Sequence, residues 1–205
     1  MSILETPSIL ETPSILETPA DRLLEAVRTL LTAKGVMTTD EIAERIRITD
    51  GGSPAQGARM VAKAWTDPEY KALMLRDGTM AAEALAIPMR GLPPLGVLED
   101  TDAVHNLVVC TLCSCYPRAV LGYPPFWFKS AAYRARAVRD PRGLLGEWGT
   151  ILPEGQKLRV VDSTADYRWM VLPRRPAGTE GWSAEQLAAI VRDGDMIGVT
   201  IPAIT

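Results

Sequence analysis

A chain of 205 residues with 47% hydrophobic side chains can bury a core, and it fits one domain of ordinary size or a domain with an arm. Its net charge of −3 supplies no basic surface, so neither DNA nor RNA is expected as a partner. No apolar run approaches the roughly 18 residues that cross a membrane, and the first residues lack the basic-then-apolar order of a secretory signal. A reducing, cytoplasmic location with free thiols is therefore expected.

Residues 2 to 19 are three tandem copies of Ser-Ile-Leu-Glu-Thr-Pro. A proline in every copy removes a helical donor, so residues 1–19 are expected to be a disordered, low-complexity tail. Thr18 and Pro19 have the residue types of an N-cap and first helical position, and Leu23, Leu24, Val27, Leu30 and Leu31 follow at helical spacing up to Gly35. A second helix is predicted from Thr39, with Asp40 and Glu41 in its first turn, Ile42 and Ile46 inward, and Gly51-Gly52 as its breaker. Ser53-Pro54 and Asp67-Pro68 repeat the cap-then-proline signal and open helices through Met60 to Trp65 and through Leu73 and Met74. Residues 20–90 thus form a helical N-terminal arm, and the proline- and glycine-rich segment Pro88 to Gly96 joins it to the second half of the chain.

Beyond the joint the pattern changes. Val97-Leu98 and Val104 to Val109 are short apolar runs that suit strands, as do Lys157 to Val161 and Tyr167 to Leu172, read as a pair. Short helices are predicted at Ala131 to Val138 and after the Asp140-Pro141 cap, another after Ser183, and a closing strand at Met196 to Ile201. The fold class is α/β (α+β): a helical arm followed by a layered metal-binding domain over residues 91–205.

All three cysteines, Cys110, Cys113 and Cys115, fall within six residues at the end of the second predicted strand. An odd count leaves one thiol over, and C-x-C is too tight for an unstrained bridge, so the cluster reads as a metal claw. Thiolates select zinc, iron, cobalt or copper over magnesium or calcium. A structural zinc site wants four side chains, and the candidate fourth, His105, is an odd number of strand positions from Cys110 and points to the opposite face. The C-x-C step also carries the backbone nitrogens of Ser114 and Cys115 close to an ion bound by Cys113 and Cys115. A strongly acidic trivalent ion could bind them deprotonated.

Val109-Cys110-Thr111-Leu112-Cys113-Ser114-Cys115-Tyr116-Pro117 resembles the metal-binding motif of the nitrile hydratase α subunit. The resemblance extends through Gly57-Ala58, Ala62-Lys63-Ala64-Trp65, Leu121-Gly122, Pro124-Pro125, Tyr133 to Arg142, Asp162-Ser163 and Leu172-Pro173, covering roughly residues 55 to 200. It implies a layered α-β-β-α fold and a non-corrin cobalt(III) or iron(III) centre held by the sulfurs of Cys110, Cys113 and Cys115 and the nitrogens of Ser114 and Cys115. Thr111 resembles the cobalt branch. The resemblance further implies a sulfinate at Cys113, a sulfenate at Cys115, and hydration of a nitrile to an amide, with Cys115, Cys113 and Ser114 as catalytic residues. It also implies a separate β-type subunit whose arginines hold the oxidised cysteines, and a metallochaperone or activator for metal insertion. Two competing readings are a thiocyanate hydrolase metal subunit and a zinc-binding interaction protein.

This copy departs from the family at Arg118, where a tryptophan usually follows Tyr-Pro. Arg118 is therefore the candidate substrate-binding residue, the bland alternative being a solvent-facing or paired cation. Arg134, Arg136, Arg139 and Arg142 are expected to be structural or interfacial, Asp162 to be a hydrogen-bond acceptor at a strand end, and the tryptophans to be anchors.

Overall fold

A computed structural model describes residues 18–204; most of the tandem repeat lies outside the described residues. The chain divides into two compact units, Met1–Arg45 and Ile46–Thr205.

In the first unit, α1 (Pro19–Ala33) starts at Thr18, whose hydroxyl accepts from the Asp21 amide while the Asp21 carboxylate takes the Thr18 amide. This capping box satisfies two donors that a helix start otherwise leaves open. The predicted apolar face is present, yet no residue of α1 is buried. Leu23, Leu24, Val27 and Leu30 are all exposed. α2 (Thr39–Asp50) begins after Thr38, which trades the same pair of bonds with Glu41.

In the second unit, α3 (Pro54–Thr66) follows Ser53, and Asp67 and Asp77 cap α4 (Pro68–Arg76) and α5 (Gly78–Glu83). Met60, Val61, Met74 and Ala81 bury one face of this helical layer in the core. Then come β1 (Leu95–Glu99) and β2 (Val104–Val109), four short helices α6 (Arg118–Leu121), α7 (Phe126–Lys129), α8 (Ala131–Arg139) and α9 (Pro141–Glu147), and the strands β3 (Lys157–Asp162) and β4 (Arg168–Leu172). The chain ends in α10 (Ala184–Ala189) and α11 (Asp193–Ile197). Helices and small sheets share one core, an α+β arrangement.

β3 and β4 do not pair with each other. β1 runs parallel to β4 with Leu95 opposite Arg168, and β2 runs parallel to β3 with Val109 opposite Asp162. Both pairs need crossovers, which the helices between them supply. The expected closing strand at Met196 to Ile201 is also absent. α11 occupies its first part and ends at Gly198, whose φ of +85° is the left-handed helix stop. A Cβ there would stand 1.9 Å from the Asn106 carbonyl oxygen, so a side chain is excluded. Met196 to Val199 are buried together, which removes the periodicity that separates a strand from a helix.

α8 is tied behind β2 by the buried Tyr133 hydroxyl, which donates to the Val108 carbonyl at 2.6 Å. Around it Tyr116, Trp127, Phe128 and Trp148 make edge-on ring contacts at centroid distances of 4.8 to 5.8 Å. Trp127 is packed against the core as an anchor, whereas Trp148 is 37% exposed and joins the block through the Trp127 ring. This aromatic block backs the chain as it leaves β2 and turns toward α6.

Candidate metal centre

The cysteine segment is the turn from β2 into α6. β2 is buried along its length, so Cys110 emerges already inside the protein, while the next three residues swing into solvent and Cys115 returns to a buried position. The Cys113 amide donates to Cys110 Sγ at 3.3 Å.

Cys110 and Cys113 Sγ stand 3.6 Å apart, Cys113 and Cys115 Sγ 3.3 Å, and all three lie within 4.8 Å of one another. Two sulfurs about 2.3 Å from one ion, at a right angle, are about 3.3 Å apart. The two neighbouring pairs therefore have the spacing of sulfurs that share one thiophilic ion.

The environments of the thiols differ. Hydrogen bonds from Cys115, from the Ser114 amide and from Cys110 pull the exposed Cys113 below the ordinary thiol range. Burial, then the hydrogen bonds with Cys113 and Cys110, push Cys115 up to about 12, against an opposing pull from the Arg168 cation. Cys113 is thus the first of the two to ionise.

The turn is gripped from outside. The Thr111 amide and hydroxyl both donate to Asp162, and Arg134 Nη1 donates to the Leu112 carbonyl at 2.9 Å. Asp162 is the strand-end acceptor expected of it. Arg134 holds the claw loop, Arg136 pairs with Asp140 and Glu147, and Arg142 bonds the Gln156 carbonyl.

His105 has no place in the cluster. It is buried, with Nε2 2.8 Å from the Gly198 carbonyl oxygen and Nδ1 3.0 Å from an Asp100 carboxylate oxygen. It is a hydrogen-bonded core histidine.

Beside the claw lies a cavity of about 340 Å³. Cys113, Ser114, Cys115 and Tyr116 form one side, and Met89, Leu92 and Leu95 form an apolar wall. Arg118, the first residue of α6, lines it, with its guanidinium 5.0 Å from the Tyr123 ring centroid. Arg168, the first residue of β4, lines it too. Sequence reasoning did not single out Arg168. The available signal was a cation opening the otherwise apolar run Trp169-Met170-Val171-Leu172.

Among described residues, no helix is long and apolar enough to cross a membrane. The family described as nitrile hydratase, alpha chain, matches residues 18–200. The low-molecular weight cobalt-containing nitrile hydratase subunit alpha of Rhodococcus rhodochrous is 47% identical over 180 residues, 87% of each chain. A chain of recombinant thiocyanate hydrolase with partially modified cobalt centres superposes with a TM-score of 0.82 at 40% identity, covering 91% of each chain. A double mutant of Fe-type nitrile hydratase from Comamonas testosteroni Ni1 superposes with a TM-score of 0.76 at 38% identity, covering 91% of this chain and 96% of that one. On its sequence over this span, the chain belongs to the nitrile hydratase alpha-chain family.

Proposed function

We propose that the chain is the metal-binding catalytic subunit of a nitrile hydratase, which adds water to a nitrile to give the amide. The observation that carries the reading is the convergence of three sulfurs within 4.8 Å beside a cavity. Cys110, Cys113 and Cys115 hold the ion through sulfur, and Ser114 and Cys115 through backbone nitrogen. Cobalt is favoured by Thr111, which resembles the cobalt branch, and by the cobalt-containing relatives. Bound there as a trivalent ion, it supplies Lewis acidity toward the nitrile nitrogen or toward water.

The chain's own residues do the rest. In this reading Cys113 carries a sulfinate and Cys115 a sulfenate, the first rungs of cysteine oxidation. Cys115 presents its oxygen toward the cavity, Ser114 keeps the turn tight enough for both nitrogens to bind, and the apolar wall excludes bulk water. Arg118 contacts the substrate. A β-type subunit covers the claw and completes the donors to its oxygens, and a metallochaperone inserts the ion in the cytoplasm.

Metal analysis and intact mass after loading test this directly. One cobalt per chain and three added oxygens, two on Cys113 and one on Cys115, are expected. Zinc with no visible absorption band would reject the reading in favour of a structural metal protein. Cys115→Ala with full metal content and full hydration would reject the ligand set. The thiocyanate-hydrolysing reading rests on the likeness to thiocyanate hydrolase. Release of carbonyl sulfide from thiocyanate, with no amide from any nitrile, would favour it.

A further inference from the structure

The side chains lining the cavity beside the claw include two guanidinium groups and no carboxylate. Among described residues, neither Arg118 nor Arg168 forms an ion pair with Asp or Glu, whereas Arg136 and Arg174 on the surface do. Arg118 lies over the Tyr123 ring, and the nearby carboxylate, Asp50, already accepts from the Tyr123 hydroxyl at 2.9 Å. Arg168 keeps its Nη1 buried with no acceptor. A desolvated guanidinium N–H without a partner costs free energy until something negative is brought to it. The apolar wall of Met89, Leu92 and Leu95 lowers the local dielectric and concentrates the field of both cations.

Resting on the nitrile hydratase reading, we infer that the pocket takes small cyano compounds that carry a negative charge. Carboxylate-bearing nitriles are the form that matches a planar guanidinium fork. Arg118, exposed at the start of α6, holds the carboxylate, and the cyano end reaches toward Cys113 and Cys115. Arg168, beside Cys115, offsets the negative charge of the oxidised claw at that end of the cavity. The cavity is small enough that charge and cyano group are a few bonds apart.

The test uses the metal-loaded protein with its β-type partner. The kcat/KM is measured for a short nitrile carboxylate, its neutral methyl ester and thiocyanate, at low and high salt. A preference of about tenfold or more for the carboxylate over the ester is expected, shrinking as salt screens the charge. Arg118→Gln should collapse that ratio, and Arg118→Lys should retain part of it. Calorimetric binding of the saturated carboxylate without its nitrile gives a readout independent of turnover: the parent binds and Arg118→Gln does not. Circular dichroism and metal content on the same preparations separate loss of charge from loss of fold. Equal or better use of the ester, with no carboxylate binding, overturns the inference and leaves nitrile hydration standing. Turnover of thiocyanate alone overturns nitrile hydration and leaves the anionic pocket standing.

Discussion

Asp162 closes on Thr111 with both carboxylate oxygens: Oδ1 accepts the backbone amide at 3.0 Å and Oδ2 the hydroxyl at 2.5 Å. Because Asp162 stands opposite Val109 in the β2–β3 ladder, this clamp fixes the first residue after Cys110 to the neighbouring strand. Groups that orient a ligand loop typically change metal affinity by about 10- to 100-fold when removed. Asp162→Ala is therefore expected to lose its metal to a chelator at least about tenfold faster than the parent, while Asp162→Asn, which keeps an acceptor, loses it more slowly. Metal content against time in chelator reads both.

Gly52 makes the second prediction. A Cβ there would lie 2.0 Å from the Arg118 carbonyl oxygen, a contact with backbone rather than with a movable side chain. Gly52→Ala must shift either the entry to α3 or the start of α6, and α6 begins three residues after Cys115. The variant is expected to be destabilised by about 2 kcal/mol or more and to hold metal less tightly. Thermal unfolding of the metal-free chain and metal content of the loaded one measure the two effects separately.

His105 sets a pH dependence. Burial opposes its charge, but the hydrogen bond and charge of Asp100 and the Gly198 carbonyl outweigh burial and the repulsion of Arg142, so its pKa is raised above 6.5. Both ring nitrogens face acceptors, which only the imidazolium satisfies. A folded pKa above the unfolded one gives stability that is full below pH 6.5 and is lost as pH rises through the folded value. Melting temperatures should fall for the parent as pH rises from 6.5 through the folded value, and His105→Gln should be flatter there. An equally steep fall in the variant would assign the effect elsewhere.

The exposed stripe on α1 yields a fourth prediction. Leu23, Val27 and Leu30 recur at helical spacing with no residue of the helix buried. If this face belongs to the β-type partner, Val27→Asp should weaken association by about tenfold or more, with the helix content unchanged, as read by sedimentation of mixed subunits.

Where sequence reasoning succeeded, a local rule decided the outcome. Thr18, Asp67, Asp140 and Ser183 are helix caps because each has a side-chain oxygen within reach of a free amide two or three residues on, a relation visible in the sequence. The sulfur cluster was legible for the same reason, since its three cysteines lie between positions 110 and 115. The relations that escaped were non-local. Nothing in the order of residues says that β3 passes over β4 to pair with β2, that Gly52 abuts Arg118, or that Arg168 arrives beside Cys115. Those relations come from two parallel crossovers, and such pairings leave no trace in periodicity. Met196 to Ile201 failed for the opposite reason: its first four residues are buried together, and such a stretch carries no amphipathic signal.

The contiguity of the claw has a thermodynamic consequence. Metal sites assembled from distant strands bind the folded chain alone and act as staples. Here a six-residue peptide carries every proposed donor, so the unfolded chain can grip the same ion. Binding to both states cancels from the folding equilibrium only as far as the two affinities agree. The ion then stabilises the fold by no more than the margin that the Asp162 clamp and the packed turn add to its affinity, and part of the coloured centre would outlast the fold that surrounds it in denaturant.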